Sequence, residues 1–185
     1  MARFRVNKSV LIAAAAVTFA GAAHAQAPAP APPANAYTAT IKTADGASIG
    51  SAILTEAPTG VLVRIELKGL TPGWHGMHFH DKGDCSDAKF MNSGGHIQMA
   101  GMKMQHGLLS QGGPDAGDLP NLFVQADGTA KVEVFSTTVS LKGAGGRNAL
   151  LDADGSALVI HANPDDQTSQ PIGGAGARVA CGVIR

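Results

Sequence analysis

Seven histidines occur in this chain, and five of them fall between Trp74 and Asp118: His75, His78, His80, His96 and His106. His161 lies nearer the C-terminus, and His24 sits in a stretch expected to be removed. Neutral imidazole offers a lone pair at physiological pH and is the commonest metal ligand. His78-Phe79-His80 is the sharpest pair. Side chains on a strand alternate faces, so residues two apart point the same way, and these two imidazoles aim at one point. Taken alone, the pair fits two unrelated surface histidines equally well. Four further histidines and the aspartates of Gly-Pro-Asp-Ala-Gly-Asp, residues 113–118, turn the reading to a metal site.

Those residues need a scaffold, and the chain reads as all-β. Tyr37 to Thr43 alternates in polarity and ends at an Asp45-Gly46 turn. Ser51 to Thr55, Val61 to Leu67 and Gly76 to His80 follow as strands, the last carrying the histidine pair. After a long loop come Asn121 to Gln125, an Asp127-Gly128 hairpin turn, and Ala130 to Ser140. Ala157 to Ala162 and Ala177 to Ile184 complete the set. Eight short strands with turn signals between them predict an eight-stranded Greek-key β-barrel or sandwich. Loops as long as 81–120 are uncommon without a function. With the second connection, Asn163 to Gly176, that loop is expected to fold over one metal site on a rigid β scaffold.

The chain outside this domain is of two kinds. Residues 1–25 carry Arg3, Arg5 and Lys8, an apolar run from Val10 to Ala20, and the small-x-small sequence Ala23-His24-Ala25. This is the pattern of a secretory signal peptide, with a retained anchor as the alternative. Residues 26–35 are Ala/Pro-rich and read as an extended tether. Residues 36–185 suffice for one domain with a true core. Cleavage after Ala25 removes three of the 14 basic residues and no acidic one, leaving 11 against 14, a net charge of −3. That balance argues against nucleic acid, and against a membrane surface once the signal is cleaved. Export points to the periplasm. In an oxidising compartment Cys85 and Cys181 are expected to form one disulfide; a pair of metal-binding or redox thiols is the alternative.

Taken together, these motifs resemble the copper/zinc superoxide dismutases, and the exported bacterial branch most closely. The resemblance covers about 36–185. It rests on His-Gly-Met-His-Phe-His at 75–80, Gly-Asp-Cys at 83–85, Ser-Gly-Gly-His at 93–96 and His-Gly at 106–107. It continues through Gly-Asp-Leu-Pro-Asn at 117–121, Ile-His at 160–161 and Pro-Asp-Asp at 164–166, and closes on Gly-Ala-Gly-Ala-Arg-Val-Ala-Cys-Gly-Val-Ile at 174–184. It implies an enzyme that converts superoxide to oxygen and hydrogen peroxide by cycling between Cu(II) and Cu(I), with copper and zinc as cofactors. His78, His80, His96 and His161 match the copper ligands. His96 is shared with zinc, and His106 and Asp118 match further zinc ligands. Asp165 matches a carboxylate bridging a copper-ligand and a zinc-ligand histidine, and Arg178 the arginine that draws in the anion. His96 and Arg178 are thus the catalytic pair, Cys85 and Cys181 match the family disulfide, and His75 is structural.

Two features depart from the family pattern. Asp115 stands where a third terminal zinc histidine is usual. Zinc accepts carboxylate oxygen, so His96, His106, Asp115 and Asp118 still make a four-ligand set, with weak zinc binding or none as the expectation. Met99, Met102 and Met104 lie between His96 and His106; they read as gap fillers, or as a soft-sulfur patch for Cu(I). These departures keep open a second function, a non-catalytic periplasmic copper-binding or copper-delivery protein on the same scaffold.

Overall fold

A computed structural model describes residues 31, 33–99, 101, 102 and 104–185. The expected signal peptide, 1–25, and most of the tether, 26–35, lie outside the described residues. Pro32–Arg185 forms one unit.

The alternation of apolar and polar residues sets the strands. In β3, Gly60–Lys68, Val61, Val63, Ile65 and Leu67 are buried, while Arg64, Glu66 and Lys68 face outward. Before it run β1, Ala36–Thr43, and β2, Ser48–Ala57; after it come β4, Gly73–His75, and β5, Met77–His80. The second half supplies β6, Leu122–Val124, β7, Thr129–Ser136, β8, Val139–Ser140, β9, Asn148–Ala149, β10, Ser156–His161, and β11, Arg178–Ile184. Seven of these form one sheet in the order β5-β10-β11-β1-β2-β3-β7. Its ends are joined through a small pair: β4 runs straight into β5, pairs with β6, and β6 turns into β7. Phe79, Leu54, Ile65, Leu122, Leu158 and Ile184 fill the interior. The only helical turns among the described residues are the 3-10 turns Met91–Ser93 and Ala144–Gly146.

The all-β expectation holds, with local differences. The predicted hairpin at Asp127-Gly128 is present: Gly128 N–H donates to Gln125 O at 2.9 Å, and Asp127 Oδ1 accepts from Thr129 N at 2.9 Å. The strand expected over Ala130 to Ser140 is broken between β7 and β8. There Thr138 Oγ1 donates to Ala116 O at 2.8 Å, and a side chain takes the place of the backbone ladder. β9, which pairs in parallel with β8 over two residues, is too short to leave a period in the sequence. β4 extends the histidine strand toward its N-terminus beyond the predicted Gly76.

The long loop is stitched to β5 at one residue. Phe79 N–H donates to Gly117 O at 2.8 Å, Phe79 O accepts from Ile97 N at 3.0 Å, and Gly117 N–H donates to Ile97 O at 2.9 Å. A side chain at 117 would strike the Phe79 carbonyl, so this approach requires glycine. The stitch places His78 opposite Asp118 and His80 opposite His96. A disulfide, Cys85–Cys181, ties the same loop to β11 with its Cα atoms 6.0 Å apart.

Candidate metal centre

Six histidines and three aspartates of the functional segments are buried: His75, His78, His80, His96, His106, His161, Asp115, Asp118 and Asp165. Four of the imidazoles share one arrangement. On each, one ring nitrogen is tied. His78 Nε2–H donates to Asp165 Oδ2 at 2.8 Å, His80 Nδ1–H to Gly94 O at 3.0 Å, and His161 Nδ1–H to Gly176 O at 3.0 Å. His96 Nδ1 lies 3.2 Å from Asp118 Oδ1. The opposite nitrogens, His78 Nδ1, His80 Nε2, His96 Nε2 and His161 Nε2, are buried without a partner. These four residues offer ligand atoms all within 4.8 Å of one another.

Buried nitrogens without partners are costly unless something fills the space between them. The fixed tautomers turn a lone pair, not a proton, into that space. Burial also keeps three of the rings neutral, whereas for His96 burial is outweighed by the hydrogen bonds with Asp115 and Asp118, which raise its pKa. Burial lowers the pKa of His78 and of His161 to about 4, and that of His80 to about 2, where the nearby His96 and Arg178 add to the effect. All three are therefore free bases at neutral pH, and a soft or borderline cation fits this all-nitrogen set.

A second group adjoins the first through His96. His106 Nδ1 is 2.8 Å from Asp118 Oδ1, and His106 Nε2 is 2.9 Å from Asp165 Oδ2. Asp165 therefore touches one histidine of each group. Burial works against a charged His106, but the hydrogen bonds with Asp118 and Asp165 outweigh it and raise its pKa to about 10. Burial likewise disfavours the Asp118 and Asp165 carboxylates, and their histidine partners more than reverse this, holding both well below the usual range. The His96 and His106 Nδ1 atoms, gathered on the Asp118 carboxylate, suit zinc, whose entry must displace the protons on those Nδ1 atoms.

Asp115 stands at the edge of this group. The set here whose ligand atoms all lie within 4.8 Å of one another is His78, His96, His106 and Asp118, with His78 in place of Asp115. Asp115 Oδ2 nevertheless lies 3.6 Å from His96 Nδ1, and its Oδ1 is buried with no partner. His78 is better assigned to the four-imidazole group, because its Nε2 is taken by Asp165 and its Nδ1 is one of the four free nitrogens.

The other expected residues fall as follows. Arg178, at the start of β11, donates through Nη1 to Phe90 O at 2.6 Å and to Ser93 Oγ at 3.1 Å, and through Nη2 to Gly94 O at 2.7 Å. Two of its five N–H groups are left for an anion. His75 is outside both groups, between His161 O at 2.6 Å and Thr71 O at 2.8 Å. The methionines do not share one environment: Met99 packs against the core, whereas Met102 is 53% exposed. Sequence reasoning missed Ser93 and the carbonyls of Phe90, Gly94 and Gly176. Of these only Ser93, inside the Ser-Gly-Gly-His motif, left a signal in residue type.

The chain is similar to known proteins. The family model for copper/zinc superoxide dismutase matches residues 48–184. The chain is 61% identical over 148 residues to the superoxide dismutase [Cu-Zn] of Caulobacter vibrioides, covering 80% of this chain and 84% of that one. It is 44% identical over 142 residues to superoxide dismutase [Cu-Zn] 2 of Aquifex aeolicus, covering 76% and 81%. Among solved structures, the Cu/Zn superoxide dismutase from Brucella abortus superposes with a TM-score of 0.65 at 29% identity, covering 81% of this chain and 99% of that one. A SOD-like protein from Bacillus subtilis superposes with a TM-score of 0.74 at 34% identity, covering 80% and 97%. A non-catalytic copper-binding role has no better support than catalysis. Fold, paired ligand groups and relatives agree that this chain belongs to the copper/zinc superoxide dismutases, oxidoreductases that use copper and zinc to convert superoxide to oxygen and hydrogen peroxide.

Proposed function

We propose that His78, His80, His96 and His161 hold copper, that His96, His106, Asp115 and Asp118 hold zinc, and that Arg178 docks superoxide. The observation that carries this reading is the set of four buried nitrogens with no partner, each opposite a ring nitrogen that is already tied. Bound copper supplies the one-electron chemistry: one superoxide is oxidised to oxygen, and a second is reduced and takes two protons to give hydrogen peroxide. Arg178 supplies the positive charge that draws the anion in, and its two uncommitted N–H groups orient it. In the half of the cycle in which it does not hold copper, His96 Nε2 would be the atom at which a proton is held and handed to the reduced substrate. The Asp115 and Asp118 carboxylates beside Nδ1 keep the ring from turning as it does so. Asp165 couples the two groups by fixing His78 and His106 at once.

Arg178→Ala tests the docking role. With copper content unchanged, its dismutation rate is expected to fall about tenfold or more, and to lose much of the wild type's decline with added salt. A full rate in that variant excludes Arg178 as the docking group.

The zinc set of this chain is two imidazoles and two carboxylates, harder than the three-histidine set of the family pattern. Asp115 is also set back at 3.6 Å from His96 Nδ1. Zinc is accordingly held more weakly, and Asp115→His is expected to tighten it by about tenfold or more. Competition against a chromogenic chelator measures this, and equal affinities would sink the assignment.

Export completes the reading. Residues 1–25 are a signal peptide and 26–35 a tether, ahead of a metal domain spanning 36–185. The mature protein works in the periplasm, where the Cys85–Cys181 bond is stable. Among the described residues no helix is long and apolar enough to cross a membrane. The net charge of −3 left after cleavage disfavours nucleic acid as a partner.

A further inference from the structure

Ser93 is fully buried beside the metal centre, in the loop that precedes His96. A hydroxyl taken out of water must find partners or cost stability, and this one has three neighbours. Its proton goes to Phe90 O at 2.7 Å. Its lone pairs face Arg178 Nη1 at 3.1 Å and His80 Nδ1 at 3.4 Å. The next residue repeats the pattern, with Gly94 O accepting from Arg178 Nη2 at 2.7 Å and from His80 Nδ1 at 3.0 Å. Ser93 and Gly94 thus offer adjacent acceptors, each shared between the guanidinium and one imidazole of the four-nitrogen group.

The geometry points to Ser93 as a positioning residue that locks Arg178 and His80 in one relation, so that an anion docked on the arginine meets the imidazole group in a fixed orientation. This rests on the reading of Arg178 as the docking group. A guanidinium is planar, so anchoring both terminal nitrogens sets the direction of the N–H groups that remain. Nη2 is anchored by Gly94 O alone, and Nη1 by Phe90 O and Ser93 Oγ together. The hydroxyl also joins those last two partners to each other, because it donates to Phe90 O while accepting from Nη1. Alanine at this position would leave Phe90 O as the only hold on Nη1. The 3-10 turn Met91–Ser93 is closed by backbone bonds, Ser93 N–H to Phe90 O at 3.3 Å and Gly94 N–H to Met91 O at 3.1 Å, and does not need the hydroxyl. The contact with Arg178, 85 residues away in sequence, is not needed for that turn.

Azide, a small anion that binds copper, is a suitable probe, and its binding is read by visible absorption on protein loaded with copper and matched for metal content. Ser93→Ala is expected to weaken azide about three- to tenfold, as for one hydrogen bond to a charged group. Arg178→Ala is expected to weaken it further, and Ser93→Thr, which keeps the hydroxyl, to bind within about twofold of wild type. Wild-type azide affinity in Ser93→Ala, beside a weakened Arg178→Ala, overturns the role of Ser93 and leaves that of Arg178 standing. A loss in Ser93→Ala that Ser93→Thr does not restore assigns the effect to packing and also overturns it. Wild-type affinity in Arg178→Ala removes the docking reading, and the role of Ser93 with it.

Discussion

Replacing both Cys85 and Cys181 by serine is expected to lower the unfolding free energy of the metal-free protein by about 4–5 kcal/mol on the loop-entropy model, given the 96-residue separation of the two cysteines. Urea titrations of the two proteins, each extrapolated to water with its own slope, would read the loss. The effect should reach the centre as well. Phe90 packs with Ala157, Val159, Cys181 and Cys85 in a small cluster of its own, apart from the main core. Its carbonyl is one of the three groups that hold Arg178. Without the bond, the loop segment carrying Phe90, Ser93 and Gly94 is fastened to β11 only by those hydrogen bonds and by this cluster. The serine variant should therefore also dismutate superoxide more slowly at matched copper content. A variant as stable and as fast as the wild type would show that the bond contributes neither.

Asp165→Asn is expected to weaken zinc binding about ten- to a hundredfold, in line with other residues that orient metal ligands. The Asp165 carboxylate accepts from two ring N–H groups, His78 Nε2 and His106 Nε2, and from the backbone N–H of Gln167. An amide of the same shape has one acceptor oxygen, so its NH2 must face one of the two rings. If that ring is His106, Nε2 must accept and the remaining proton is held on Nδ1 toward Asp118, so the ring offers zinc no lone pair on that side. Copper should suffer less, because His78 is one of four nitrogens and the other three do not touch Asp165. There is no room for a bulkier rearrangement: a side chain on Gly173 would collide with Asp165 and crowd His106 Nε2. Competition against a coloured chelator, run separately for each metal, would settle it; an unchanged zinc affinity would contradict the bridging role.

The metal centre was largely legible because its chemistry lies in residue types. His78 and His80 fall two apart on a strand, and that spacing alone aims both rings one way. His96, His106, Asp118 and His161 carry the same signal, and the structure brings all of them to one place. Asp115 was visible as an odd residue, but its set-back position depends on how the loop returns to Phe79, which no local pattern encodes. The partners that fix the tautomers were not legible. Gly94 O and Gly176 O are backbone carbonyls, and every residue has one. Ser93 looked like a loop serine, since its partners Arg178 and His80 are distant in sequence.

The fold followed the same division. Long alternating strands such as β3 were readable from their period, and the Asp127-Gly128 turn from its residues. The β8–β9 ladder has only two pairs and therefore no period. The break after Ser136 comes from Thr138 reaching Ala116, a tertiary choice invisible in an apolar run. The β4–β6 pair that joins the ends of the sheet sets Trp74 against Phe123, with ring centroids 4.9 Å apart. It is short, and the link between those two segments is equally non-local.

The most direct test of the two-metal assignment is anomalous diffraction, at the copper and zinc edges, from crystals of the protein loaded with both metals. A copper peak is expected enclosed by His78 Nδ1, His80 Nε2, His96 Nε2 and His161 Nε2, and a separate zinc peak among His96 Nδ1, His106 Nδ1, Asp118 and Asp115. Copper bound elsewhere, or a single metal held by the His78, His96, His106 and Asp118 group, would contradict this assignment.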